Sequence, residues 1–196
     1  MTYLYIQEIL GDNKIVYETD RLIMRHFLPD DVEKCMESWG KDTNLGRYII
    51  GYPMMDIVQM KNFVEGMSKQ KNAWVLVEKE SNDIVGYVTF DIPYEPLKVG
   101  EVGYVIGEKY QGNKYSYEAL KYLLQIYFTE YGLYLIEAKY NASNKASEQI
   151  LQRLGFKKEA VLRGRRMNFL TGERNDMVIC SIDRKEMDKY TAINSR

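Results

Sequence analysis

The segment QGNKYSYEAL, residues 111–120, follows a strand-like run from Val99 to Ile106 and opens a helix-like run that ends near Tyr131. It therefore places a polar turn at the start of a helix. The first turn of a helix leaves backbone N–H groups unpaired and carries partial positive charge, so this turn can hold phosphate groups without a dedicated side chain. The same residues are also consistent with an ordinary strand-to-helix turn that needs one glycine and binds no ligand. The turn lacks the Gly-Lys-Ser/Thr ending of P-loops and the spaced glycines of dinucleotide folds.

The length and charge of the chain limit the classes of protein to which it can belong. Its 196 residues suit one domain, which we place at residues 19–190. Residues 1–18 then form an N-terminal extension (an edge strand, an arm or a disordered tail), and residues 191–196 form a C-terminal tail. The net charge of −1 argues against bulk attraction to nucleic acid or acidic membranes. No run approaches about 18 apolar residues and the N-terminus has no export pattern, so we expect a cytoplasmic protein.

The cysteines and the histidine are too few for a metal centre or a disulfide framework. The chain has two cysteines, Cys35 and Cys180, and one histidine, His26. No zinc site can be written from this set, and we expect no metal. The cysteines are expected to be buried thiols in a reducing compartment.

The first half of the chain alternates between strand and helix patterns. Pro29 opens a helix that ends near Gly40, and apolar residues at helical spacing lie between Met55 and Lys71. Strands are predicted at residues 21–26, 73–79, 83–90 and 99–106, and the last three form an antiparallel meander.

The second half adds two helices, a strand and a hairpin. The helix from Tyr115 closes at Gly132, and a second one follows Ser143-Asn144 and stops at Gly155. Strands are predicted at residues 133–140, 156–168 and 173–182. This order predicts an α/β domain with a mixed, mostly antiparallel sheet.

A second segment, NASNKASEQILQRLGF at residues 141–156, reads by itself as a capped amphipathic helix. Taken together with residues 111–120, it gives the chain an order of elements that resembles the GNAT superfamily of N-acetyltransferases. Within that superfamily the resemblance is to the branch that includes the ribosomal-protein N-terminal acetyltransferases. The matching pieces are TDRLIMR at 19–25, GEVGYVI at 100–106, YSYEAL at 115–120, Asn144 with Ser147, and LGF at 154–156.

The resemblance implies a fold and a cofactor. The fold is a mostly antiparallel sheet of about seven strands, flanked by helices and splayed between its fourth and fifth strands. The cofactor is acetyl-CoA, with its pyrophosphate on the backbone N–H groups of residues 111–116 and its pantetheine arm in the splay. The implied cofactor-binding residues are Val105, Ile106, Gln111, Gly112, Asn113, Lys114, Tyr115, Ser116, Asn144 and Ser147.

The chain departs from the family pattern at two positions. Lys114 stands where the phosphate loop usually has its central glycine. A positive φ there would cost a lysine on the order of 1 kcal/mol, whereas its ammonium could pair with the phosphates. Leu151 stands where many members carry a tyrosine that protonates the departing thiolate.

Three residues are candidates for the chemistry that the resemblance implies. Glu101 is the first candidate for a general base, acting through one water, although a solvated or ion-paired glutamate is equally consistent. Tyr104 is a second candidate, with a packing role as its alternative, and Ser147 is placed to assist by hydrogen bonding. The backbone N–H near Val105 is the expected donor to the oxyanion.

The acceptor is expected to be a primary amine, either a protein N-terminus or a small molecule. Its identity depends on residues 38–72 and on the last hairpin. The basic run Arg163-Gly164-Arg165-Arg166 either meets an acidic substrate or the 3′-phosphate of the cofactor, or lies on an exposed strand. The alternative function is a non-catalytic acyl-CoA-binding or interaction module. A homodimer through the final strands or the N-terminal arm is expected.

Overall fold

The structure is a computed structural model that describes residues 16–54 and 56–193. Most of the predicted N-terminal extension and the end of the predicted C-terminal tail lie outside the described residues. Residues 17 and 18 are described, and they pair with the next strand at the edge of the sheet.

One sheet of eight strands organises the described residues. The strands are β1 Tyr17–Glu18, β2 Leu22–Arg25, β3 Ala73–Glu78, β4 Ile84–Tyr94, β5 Val99–Ile106, β6 Leu135–Asn141, β7 Lys157–Met167 and β8 Arg174–Asp183. Their order is β1-β2-β3-β4-β5-β6-β8-β7. The β5–β6 pair is parallel and every other pair is antiparallel, which confirms the predicted meander and the mostly antiparallel sheet.

Five helices cover this sheet. They are α1 Val32–Cys35, α2 Ile57–Ser68, α3 Tyr115–Thr129, α4 Lys145–Arg153 and α5 Arg184–Ile193. A 3₁₀ turn at Pro29–Asp31 leads into α1 and a π-helical turn at Met36–Gly40 continues it, so the predicted helix from Pro29 to Gly40 is confirmed with mixed hydrogen bonding. The first four helices were predicted, whereas α5 was not.

The apolar side chains form two clusters, one on each face of the sheet. One cluster packs α3 and α4 against the sheet through residues such as Trp74, Leu120 and Ile136. The other packs α1 and α2 through residues such as Trp39, Met60 and Val105. Cys35 and Cys180 are free and buried, one in each cluster. Burial raises the pKa of the Cys180 thiol to about 12.

Strands β5 and β6 separate part-way along their length. They pair from Val99 with Leu135 to Val102 with Ala138, and no pairing follows between residues 103–106 and 139–141. This is the predicted splay, because β5 and β6 are the fourth and fifth strands when the two-residue β1 is not counted.

An ion pair fixes the entry into α1. Two bonds, of 2.7 and 2.8 Å, join the Arg25 guanidinium to the Asp31 carboxylate, which also accepts from the Leu28 N–H at 2.8 Å. The Asp31 side chain is 5% exposed and that of Arg25 is 17% exposed. Removing one partner of such a pair leaves a charge in a place where water cannot solvate it well.

We therefore expect Asp31→Ala to lower the free energy of unfolding by about 2–3 kcal/mol, measured by urea denaturation. The control is Glu37→Ala, which removes an exposed carboxylate from the same region. Equal stability of the two variants would show that the Arg25–Asp31 pair does not hold α1.

Candidate functional site

A cleft of about 630 Å³ opens where three elements meet: the end of β5, the start of α3 and the start of α4. We call it the helix-side cleft. It is lined by most of the cofactor-binding residues predicted from sequence: Val105, Ile106, Gln111, Gly112, Lys114, Tyr115, Ser116, Asn144 and Ser147. Asn113 is not in its lining, because its side-chain amide turns back to the Tyr110 carbonyl at 3.1 Å.

The loop before α3 has an unusual backbone. Gly112 has a φ of +81° and Lys114 a φ of +65°. Lys114 is therefore a left-handed residue at the N-cap position, and its side chain is exposed and lines the cleft. The first hydrogen bond of the helix runs from the Glu118 N–H to the Lys114 carbonyl at 3.0 Å. The backbone N–H groups of residues 115–117 therefore precede the helical ladder, at an end that favours anions.

Residues near the start of the described chain, about 90 positions earlier in the sequence, hold this loop in place. The Arg21 guanidinium donates to the Asn113 carbonyl at 3.0 Å and pairs with the Glu118 carboxylate at 2.6 Å. The Thr19 hydroxyl donates to the same carboxylate at 2.5 Å. Burial raises the pKa of the Glu118 carboxyl, but the hydrogen bonds from Thr19 and Arg21 outweigh it and hold that pKa below its usual range. The sequence motif at 19–25 thus supports the loop before α3, a role that the sequence alone did not predict.

The backbone of β5 presents every second residue to the splay. On one side, the Gly107 N–H donates to the Val85 carbonyl of β4 at 3.0 Å. On the other side, the Ile106 carbonyl accepts from the Gln111 side chain at 3.2 Å, away from β4. Because N–H and C=O groups alternate in direction along a strand, the Val105 N–H points to β4, whereas the N–H groups of Tyr104 and Ile106 point into the splay. This geometry limits the donor predicted near Val105 to the N–H groups of these two neighbours.

A smaller cleft, of about 240 Å³, adjoins the first one and is called the sheet-side cleft. Tyr104 and Ser147 line both clefts, whereas Glu101 lines only the sheet-side cleft. The structure thus brings the three predicted catalytic residues into one cleft, with Tyr104 and Ser147 at its junction with the helix-side cleft. Leu151 also lines the sheet-side cleft and is buried, so this position offers no hydroxyl to the thiolate.

Glu101 is ion-paired. Its carboxylate lies 2.5 Å from the Lys139 ammonium, which also lies 3.9 Å from the Glu137 carboxylate. The pair forms because Glu101 and Glu137 are opposite each other in the parallel β5–β6 register, and Lys139 lies two residues further along the same face. The Glu101 side chain is 37% exposed, so water reaches it.

Tyr104 carries a buried hydroxyl. No hydrogen bond of normal geometry is found for it among the described residues. Burial raises the pKa of Tyr104 to about 12, and the neighbouring Ser147 side chain acts against this rise. The phenol is therefore neutral at pH 7, which favours a hydrogen-bond donor over a base. The Ser147 N–H is itself bonded to the Asn144 side chain at 3.1 Å, which caps α4.

The segment from Asn44 to Ile49 closes one side of both clefts. Tyr48 and Ile49 line each of them. The Gly46 carbonyl accepts from the Phe169 N–H at 2.9 Å, which joins this segment to the last hairpin. The two regions expected to select the acceptor are therefore in contact. Sequence reasoning missed Lys139 and Ile49, since only the strand register and the fold of this segment place them at the site.

Two further properties concern the described residues as a whole. Their carboxylate, thiol and imidazole groups include no cluster of three or more that could hold a metal ion. Their helices include none with the length and apolar character needed to cross a membrane.

A comparison with known protein families finds a match over most of the chain. The family described as Acetyltransferase (GNAT) domain matches residues 21–157. The chain belongs to the GNAT family of acetyltransferases. This family typically takes the acetyl group from acetyl-CoA, so the chain is an acetyl-CoA-dependent N-acetyltransferase. The predicted family, reaction class and cofactor are confirmed.

Similar proteins cover most of the domain. An uncharacterized N-acetyltransferase of Bacillus licheniformis, p20, is 27% identical over 150 residues, which cover 74% of this chain and 84% of that protein. A GNAT-family acetyltransferase from Bacillus anthracis has a TM-score of 0.78 at 22% identity and covers 88% of this chain and 100% of its own. A ribosomal L7/L12 α-N-protein acetyltransferase, solved with coenzyme A, has a TM-score of 0.75 at 17% identity and covers 86% of this chain and 98% of its own.

Substitutions at Lys114 separate its charge from its backbone strain. Lys114→Ala removes the ammonium and keeps a side chain at positive φ, and we expect about tenfold weaker acetyl-CoA binding from the loss of a charge-assisted contact. Lys114→Gly removes the strain as well and should raise the free energy of unfolding by about 1 kcal/mol. Calorimetric titration and urea denaturation measure the two effects.

Two further variants control this comparison. Lys114→Arg should retain most of the affinity, and Lys109→Ala, which removes a nearby charge outside the cleft lining, should change nothing. A large gain of affinity in Lys114→Gly would instead show that the lysine impairs the loop.

Proposed function

We propose that this GNAT enzyme transfers the acetyl group directly from acetyl-CoA to a primary amine of a protein N-terminus or a small molecule. The observation that carries the proposal is the junction of two clefts at the splay of β5 and β6. The helix-side cleft has the anion-favouring start of α3, and the sheet-side cleft has the carboxylate of Glu101. A donor and an acceptor can therefore meet without a covalent enzyme intermediate.

The helix-side cleft offers two sets of backbone groups to acetyl-CoA. The N–H groups of residues 115–117 suit its pyrophosphate, and the exposed Lys114 ammonium lies beside them. The N–H and C=O groups of β5 that face the splay suit the amide groups of the pantetheine arm, which would lie along them as an added strand does. Bound in this way, acetyl-CoA supplies a thioester whose thiol, with a pKa near about 8.5, is a good leaving group.

The residues that line the two clefts have separate roles in the proposed reaction. Glu101 accepts the proton of the attacking amine through a water, and Lys139 holds its carboxylate against the wall of the sheet-side cleft. The N–H groups of Tyr104 and Ile106 donate to the acetyl oxygen as it gains negative charge. The neutral phenol of Tyr104, with Ser147 beside it, donates to the departing sulfur.

The cell compartment and the assembly are also part of the proposal. Two buried free thiols support a reducing compartment, the cytoplasm. Among the described residues no strand pairs with the outer edge of β7, which supports a homodimer through the final strands. Light scattering at several concentrations tests the dimer.

Glu101→Gln tests whether the protein is a catalyst. We expect kcat/KM to fall by about 10²–10⁴-fold, because the amide cannot accept the proton. Binding should persist, since Glu101 does not line the helix-side cleft. In a thermal-shift titration, acetyl-CoA at 100 times its Kd should add about 2.7 kcal/mol of stability to both proteins.

The matched control is Glu137→Gln, which removes another carboxylate near Lys139 but none from the cleft lining. It should leave kcat/KM unchanged. A protein that acetyl-CoA does not stabilise would refute the proposed site. Stabilisation without turnover on a broad panel of amines would identify a non-catalytic acyl-CoA-binding module.

Tyr104→Phe tests the proposed hydrogen-bond donor. It removes a buried hydroxyl that has no hydrogen bond of normal geometry among the described residues, so stability should be unchanged or rise by up to about 1 kcal/mol. We expect kcat to fall about tenfold, because the departing sulfur loses a donor. Steady-state kinetics and thermal unfolding give the two values.

Tyr127→Phe is the control. It removes a buried hydroxyl of α3 that also has no hydrogen-bond partner among the described residues and lies outside both clefts. If the two variants have the same kcat, the Tyr104 hydroxyl takes no part in the reaction.

A further inference from the structure

The sheet-side cleft holds three charged side chains: Glu101, Lys139 and Arg166. Two of them are paired with each other, at 2.5 Å. Arg166 is different, since no ion pair or side-chain hydrogen bond is found for it among the described residues. The cleft therefore has one cation without a counter-charge.

The environment of Arg166 makes this lack of a partner informative. Its Nε is buried and has no hydrogen-bond partner among the described residues, and the half-buried residue lines the cleft. No carboxylate of the hairpin forms an ion pair with it among the described residues. Asp176, which follows Asn175, accepts from the Gly164 N–H at 2.9 Å instead. A guanidinium that is partly withdrawn from water and left unpaired favours a ligand with a carboxylate or a phosphate.

Strand register places Arg166 on the same face of the sheet as the proposed base. Arg166 is opposite Asn175, and Met177, two residues further along β8, is opposite Asn141. Asn141 shares a face of β6 with Lys139, the partner of Glu101. Glu101 and Arg166 thus lie towards opposite ends of one cleft wall, with the splay beside them.

The backbone also separates Arg166 from the other arginines of its run. Gly164 has a φ of +66°, and the β7–β8 register shifts between Leu162 and Arg166. Arg163 and Arg165 are exposed and line neither cleft, whereas Arg166 is half-buried in the sheet-side cleft. The basic run therefore contributes one side chain to the site.

We propose that the acceptor of this enzyme is an amine that also carries a carboxylate or a phosphate, and that Arg166 binds this anionic group while the amine reaches Glu101. This inference rests on the proposed transferase function. Arg166 is then a specificity residue, because it selects among amines without touching the acetyl group. Polyamines, which present a second cation in place of the anion, are poor acceptors.

The test compares pairs of amines that differ only in the anion. The small-molecule pairs are O-phosphoethanolamine with ethanolamine and β-alanine with its amide, and the peptide pair has Asp or Asn as second residue. We expect kcat/KM to be about 10- to 100-fold higher for the anionic member. Arg166→Gln should remove this preference, and Arg166→Lys should keep part of it, because the lysine retains the charge without the planar fork.

Arg163→Gln is the matched control and should keep the full preference. A preference within the small-molecule pairs alone identifies a small acceptor, and one within the peptide pair alone identifies an acidic peptide terminus. The inference is wrong if the unaltered enzyme shows no preference, or if Arg166→Gln retains it.

A different result would count against the transferase function itself, namely that no amine is acetylated. Calorimetric titration of the CoA-loaded protein with O-phosphoethanolamine then decides the anion site separately. Binding that is at least tenfold weaker in Arg166→Gln than in the unaltered protein supports the site. Equal binding to the two proteins overturns it, and so does the absence of binding to the unaltered protein.

Discussion

Hydrogen bonding between β5 and β6 stops at Val102 and Ala138, although β5 continues to Ile106 and β6 to Asn141. Backbone N–H and C=O groups that are neither paired nor solvated are costly, so a gap of this kind persists where another chain or ligand can lie along it. The two strands are parallel, and the connection between them must therefore cross over the sheet through α3. This crossover starts directly after the free end of β5. The same break in pairing thus creates both the slot and the helix start at its mouth.

The phosphate loop depends on contacts that come from far along the chain. Arg21 and Thr19 bind Glu118 in the first turn of α3, and Arg21 also binds the loop carbonyl of Asn113. Gln111 is bound in turn to the last residue of β5. A left-handed lysine at the N-cap costs on the order of 1 kcal/mol, and contacts of this kind are what maintain such a conformation. The edge of the sheet, the loop and the end of β5 therefore form one continuous support for the site.

The sequence predicted the elements better than it predicted their contacts. Apolar periodicity and the glycines at 132 and 155 located α3 and α4, and the motif order led to the family, the fold and the splay. Helix α5 was missed because Arg184–Ile193 carries few apolar residues. The Glu101–Lys139 pair depends on the register between strands that are more than thirty residues apart, which no local pattern contains. The direction of the Val105 N–H likewise depends on the neighbour with which β5 pairs.

Charge at this site is controlled by which side chains have partners. The chain carries a net charge of −1, so it has no overall field to attract anions. Glu101 and Lys139 largely neutralise each other. The cations that line the clefts without an ion pair among the described residues are then Arg47 and Lys114 in the helix-side cleft and Arg166 in the sheet-side cleft. The charge of the half-buried Arg166 is screened less by salt than those of the exposed Arg163 and Arg165. These unpaired cations therefore favour one anionic ligand in each cleft, with the reacting groups at the junction between them.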